Sequence, residues 1–203
     1  HCFFFMTGSA NVSLSAFEKQ LVTDVGWILT KNNIIQKVIV LFAELSKTWQ
    51  SNTILQQFPN AITAISPKIS KGENYNGLPY VMLDYPRCFG KEDVFAIRVF
   101  FWWGHFFSIT LHLKGKYKLQ FEQAIADAAR ANELTTAWVN INDDEWVHHF
   151  EQTNMKPVQL TDADMFREKK LLKLAYKLDL NNWDDAEDFL KKVFDQYIRI
   201  LQI

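Results

Sequence analysis

The chain has 203 residues, 48% hydrophobic and 22% charged, which is enough apolar surface for a core and excludes disorder over most of its length. Lysine and arginine total 22 against 23 acids, a formal net charge of -1, so no overall basic field exists to collect nucleic acid or an anionic membrane. No stretch approaches the length of a bilayer span, and the two cysteines, Cys2 and Cys88, match no metal or redox spacing.

These bounds predict a cytoplasmic, single-domain protein over residues 1–203, with both thiols free. His1-Cys2-Phe3-Phe4-Phe5 precedes Met6 and is read as cloning-derived, upstream-translated or disordered. The run is too short for a signal-peptide core and has no basic leader. The sequon Asn11-Val12-Ser13 would matter only in a secreted chain.

Ser15 and Glu18 have capping-box spacing, and Leu14, Phe17, Leu21, Val25 and Ile28 follow on one helical face. Lys31-Asn32-Asn33 is the expected break. Ile34, Val38, Leu41, Phe42, Leu45 and Trp49 continue as a second helix, completing an N-terminal hairpin. Between residues 58 and 77 two prolines and two glycines interrupt the pattern, leaving room for a short strand at 64–69.

Three stronger strands are expected at 80–85, 94–103 and 105–113, the first ended by Pro86. Their short connections, at 89–93 and at Gly104, imply an antiparallel meander. A helix over 116–133 and a strand over 136–141 follow, then an irregular stretch over 143–160. Thr161 and Asn182 are the expected caps of a C-terminal helical hairpin, in which Lys170, Lys173 and Lys177 share a face that pairs with acids within or between the helices or is simply solvated. The expected fold is α+β, a mainly antiparallel meander of about four strands flanked by N- and C-terminal helical hairpins.

No phosphate loop, dinucleotide fingerprint, nucleophile elbow or zincin motif is present, and no cofactor is expected. Cys88 would need a neighbouring histidine to act as a nucleophile, and a structural thiol explains it more simply. The segment Asn142-Asp143-Asp144-Glu145-Trp146-Val147-His148-His149-Phe150 concentrates metal-ligand types. If helical, it pairs Asp144 with His148 and Glu145 with His149 on a common side. If it is a turn anchored by Trp146 and Phe150, no such site forms.

Strand alternation gives the second candidate. Phe95, Ile97, Val99, Phe101, Ile109 and Leu111 make one wholly apolar sheet face, expected to form the core. The other, mixed face carries Tyr80, Asp84, Arg98, Trp102, Ser108, Thr110 and His112, framed by Phe100 and Phe106. A few convergent polar groups on an apolar surface are the usual form of a small-ligand site. The plainer arrangement pairs Arg98 with Asp84 and leaves Ser108, Thr110 and His112 to solvent.

The expected function is therefore a non-enzymatic module using this aromatic-rich face to receive a small apolar or anionic ligand, or a protein partner. The alternative is a metal-assisted hydrolase or related enzyme built on Asp143, Asp144, Glu145, His148 and His149.

Overall fold

The computed structural model describes residues 12–202, so the expectations for residues 1–5, Cys2 and Asn11 lie outside the described residues. The chain divides into two compact units, His1–Lys37 and Val38–Ile203.

In the first unit the capping box forms. The Ser15 hydroxyl accepts from the Glu18 amide at 3.2 Å, and the Glu18 carboxylate accepts from the Ser15 amide at 2.7 Å. Helix α1, Ala16–Thr23, stops at Asp24. The Asp24 carboxylate accepts from the Trp27 amide at 3.0 Å and so opens helix α2, Val25–Gln50. The break expected at Lys31-Asn32-Asn33 does not occur, because α2 runs straight through it. An interior asparagine costs under about 1 kcal/mol relative to alanine, too little to end a helix whose apolar stripe continues on both sides.

The second unit continues from the C-terminal part of α2 through a 3-10 turn, Leu55–Gln57, and the short helix α3, Asn60–Thr63. Strands β1 (Lys68–Tyr75), β2 (Leu78–Phe89), β3 (Val94–Trp102) and β4 (Phe106–Lys114) lead to helix α4, Lys116–Arg130. Then come β5 (Trp138–Asn140), β6 (Met155–Pro157), the 3-10 turn Leu160–Ala163 and helix α5 (Met165–Glu168). Strand β7 (Leu171–Asp179), the 3-10 segment Leu180–Asp185 and helix α6 (Ala186–Ile200) complete it.

The fold is α+β, and the described residues form seven strands in the order β1-β2-β3-β4-β7-β5-β6, every pairing antiparallel. This exceeds the expected four-strand meander by β1, β6 and β7, with β6 falling in the stretch 143–160 expected to be irregular, and it lengthens β2. Asn76 and Gly77, at φ 50° and 82°, form a two-residue turn that pairs Tyr75 with Leu78 and makes 68–75 a full strand. Positive φ at two successive residues is what Asn-Gly supplies in a hairpin. Strand β2 runs past Asp84, and a register shift between Asp84 and Arg87 accommodates Pro86, which has no ladder donor.

The largest departure is at the C-terminus, where the first arm of the expected hairpin is strand β7, paired between β4 and β5. Leucine, lysine and alanine favour helix, and lysines at 170, 173 and 177 mimic a helical face. The same segment also alternates, with Leu172, Leu174, Tyr176 and Leu178 on one side, and pairing on both edges decides the outcome.

The apolar face carries the core. Phe95, Ile97, Val99, Phe101, Ile109 and Leu111 are each at most 1% exposed. Helices α4 and α6 and the second-unit part of α2 lie on this side: Phe121 meets Phe95 edge-on at 5.6 Å and Phe42 meets Phe107 at 6.4 Å. Trp49 stacks on Phe194 at 4.1 Å, and the Tyr197 hydroxyl donates to the Leu174 carbonyl at 2.7 Å. No helix among the described residues is long and apolar enough to cross a membrane.

Candidate ligand-binding face

Strand register puts the expected residues on one surface. Asp84, Arg98 and Thr110 lie directly across β2, β3 and β4, with Tyr80 opposite Trp102, Phe100 opposite Ser108 and Ala96 opposite His112. Strand β7 extends the same surface, setting Lys173 beside His112 and Lys177 beside Ser108.

Arg98 donates through Nε to Asp84 Oδ1 at 2.7 Å and through Nη2 to Asp84 Oδ2 at 3.0 Å, with both residues 5% exposed. Planar guanidinium and carboxylate groups match in this two-pronged geometry. Such pairing answers the difficulty of an arginine among aromatic rings, since a buried charge must be paired. The remaining Nη1 donates to His148 Nε2 at 3.2 Å, so that ring nitrogen accepts and the imidazole is neutral.

At one end of the face Phe100, Trp102 and Phe106 form a buried aromatic cluster, flanked by Tyr75, Leu78, Tyr80, Met82 and Phe150. The Trp102 indole N–H donates to the Tyr75 carbonyl at 3.1 Å. Lys177 Nζ sits 4.6 Å from the centre of the Trp138 ring and 5.1 Å from that of Phe150, a cation over two π faces.

Solvent does not reach Ser108 and His112, against the plainer expectation: they are 1% and 4% exposed. Of the expected residues Tyr80 and Thr110 are partly open, and Lys177 on the added strand is exposed. The cover is not a helix. It is the irregular segment 142–153, pinned by donors from the sheet. Lys173 Nζ donates to the carbonyls of Asp144 and Val147 at 2.6 and 2.7 Å, and Lys114 Nζ to Glu145 Oε1 at 2.6 Å. The His148 amide donates to the Tyr75 hydroxyl at 2.7 Å.

Electrostatics follow from this burial. Desolvation, then Lys173, Arg98 and Lys114, holds the His112 pKa down to about 3. Desolvation and Arg98 push His148 well below its ordinary value. Desolvation lowers Lys173 to about 8, against a smaller opposing pull from Asp144. The Nε2 atom of His112 is buried without a hydrogen-bond partner.

The metal-ligand arrangement is not formed. Segment 142–150 contains no helix, so Asp144 and Glu145 do not stack under His148 and His149. The Asp144 carboxylate instead accepts from the Trp146 amide at 2.8 Å, Glu145 holds Lys114, and His148 turns to Arg98. His149 lies 3.9 Å from Glu151, and Asp143 is exposed. Among the described residues no three His, Cys, Asp or Glu side chains converge to hold a metal ion. Cys88 is a free thiol, 3.6 Å from the Tyr117 hydroxyl rather than from an imidazole.

Several contributors escaped the sequence reading, among them Lys114, Tyr75 and two lysines of β7. Lys173 and Lys177 belong to the face because residues 171–179 are a strand, and two-residue alternation across 172–178 was the available signal. Comparison with protein-family models, curated proteins and solved structures finds no match.

Proposed function

We propose that the protein is a non-enzymatic binding module whose small-ligand site is the mixed face of the sheet, entered when residues 142–153 lift. The observation that carries this reading is the unequal covering of the sheet's two faces. The apolar face is closed by helices, whereas the mixed face, with its aromatic cluster and buried cations, lies under one segment without regular structure. Segments without regular structure, here held by polar ties and by the packing of Phe150 and His148, open at lower free energy than packed helices. Once clear, the face offers flat apolar area from Trp102, Phe100 and Phe106 beside hydrogen-bonding groups that fix orientation.

The test is an amide NMR titration with indole, a neutral aromatic probe. Shifts are expected in β3, β4 and 142–153, and a Trp102→Ala variant should lose them. Absence of binding, or shifts confined to other surfaces, would remove the mixed face as the site.

A further inference from the structure

We infer that the ligand of this face carries an oxyanion, a carboxylate or phosphate, which displaces residues 144–148 from Arg98, Lys173 and Lys114. The inference deepens the binding-module reading and rests on it.

The three cations come from three adjacent strands, β3, β7 and β4, and all face the same cover. Asp84 occupies two donors of Arg98, and no other carboxylate from the sheet meets the three cations. Apart from the Lys91 carbonyl, which accepts from Lys114 at 3.1 Å, their other acceptors come from four residues of the stretch 144–148: the carbonyls of Asp144 and Val147, the Glu145 carboxylate and the His148 imidazole. That short piece of chain does for the strands what a multidentate anion would do.

The substitution is incomplete in two respects. Lys173, 2% exposed, is matched by carbonyl dipoles rather than by a carboxylate in contact. A buried ammonium held only by dipoles is under-compensated, and a full negative charge there gains more than in water. Beside it, across the β4–β7 ladder, His112 keeps Nε2 buried and unpartnered, a position that an N–H donor toward an anion would use. An oxyanion spanning Lys173 and His112 would satisfy both. The Glu145–Lys114 contact is partly exposed, so it is the weakest tie to break.

The experiment is an amide NMR titration of the full chain with three probes: inorganic phosphate, benzoate and indole. Phosphate or benzoate is expected to shift β3, β4 and β7 amides and to speed hydrogen exchange in 143–149. Glu145→Gln should tighten anion binding about five-fold, since the competing tie is an ion pair of modest strength. Lys173→Met should weaken it at least ten-fold while the indole shifts remain, and the same spectra report whether that variant is folded. Lys173→Arg, which keeps the charge, is the second variant and should retain anion binding. Phosphate alone binding assigns phosphorylated ligands; benzoate alone assigns organic carboxylates. Indole binding with no response to either anion, in wild type and Glu145→Gln, overturns this inference and leaves the binding module standing. Silence from all three probes removes both.

Discussion

Arg98 and Asp84 face one another across β3 and β2 as a buried, two-pronged ion pair. The neighbouring bulge between Asp84 and Arg87 marks where the regular register gives way, so the pair sits at the last regular rung before it. Removing one member strands the other charge in a dry site. Arg98→Met or Asp84→Leu alone should lower stability by about 3–5 kcal/mol, and the double variant by less than either single change. Denaturant titration of the four proteins measures this; additive losses would show that the two charges are not coupled.

Ile109 is fully buried at the middle of the apolar face, under the helices. Truncation to alanine should cost about 2–5 kcal/mol through lost burial and the cavity left behind. A shift of the urea midpoint corresponding to less than about half a kcal/mol would place this residue outside the core.

Asn140 has no exposed surface and connects three backbone groups where β5 ends. Its amide donates to the carbonyls of Asn142 and Leu171 at 2.6 and 3.1 Å, and its carbonyl oxygen accepts from the Lys173 amide at 2.9 Å. Asn140→Ala leaves all three without that partner, and should cost about 3 kcal/mol. Native-state hydrogen exchange should show the Lys173 amide opening faster than in wild type, while amides on β2 and β3 keep their protection.

Acid should weaken the fold through its buried imidazoles. His112 is held neutral, with its pKa down to about 3, whereas the unfolded chain protonates it near 6.5. The stabilising contribution is therefore present above the unfolded value and is lost as pH falls below it toward the folded one. For His112 the loss is about 2 kcal/mol by pH 5, and His148 acts in the same direction. Comparison with a His112→Leu variant isolates the effect from carboxylate titration. The stability difference should move by about 2 kcal/mol in the variant's favour between pH 7 and pH 5.

The apolar alternation of 94–102 and 106–114 was enough to define two strands, their dry face and the opposite face on which Arg98 lies. Those properties are local, since side chains two residues apart share a face whatever else surrounds them. The Ser15–Glu18 cap was legible for the same reason: its partners lie three residues apart. Residues 171–179 lay beyond that reach. Their composition favours a helix, their alternation fits a strand, and only pairing with β4 and β5, far away in sequence, selects between them. The cover over the mixed face also depends on long-range partners. Residues 142–153 have no strong periodicity, and their position is decided by Lys173, Lys114, Arg98 and Tyr75, each at least 26 residues away from the atom it binds. Sequence spacing can place side chains on a common strand or helix face, but the contact of His148 with Arg98 exists only in the assembled sheet and its cover.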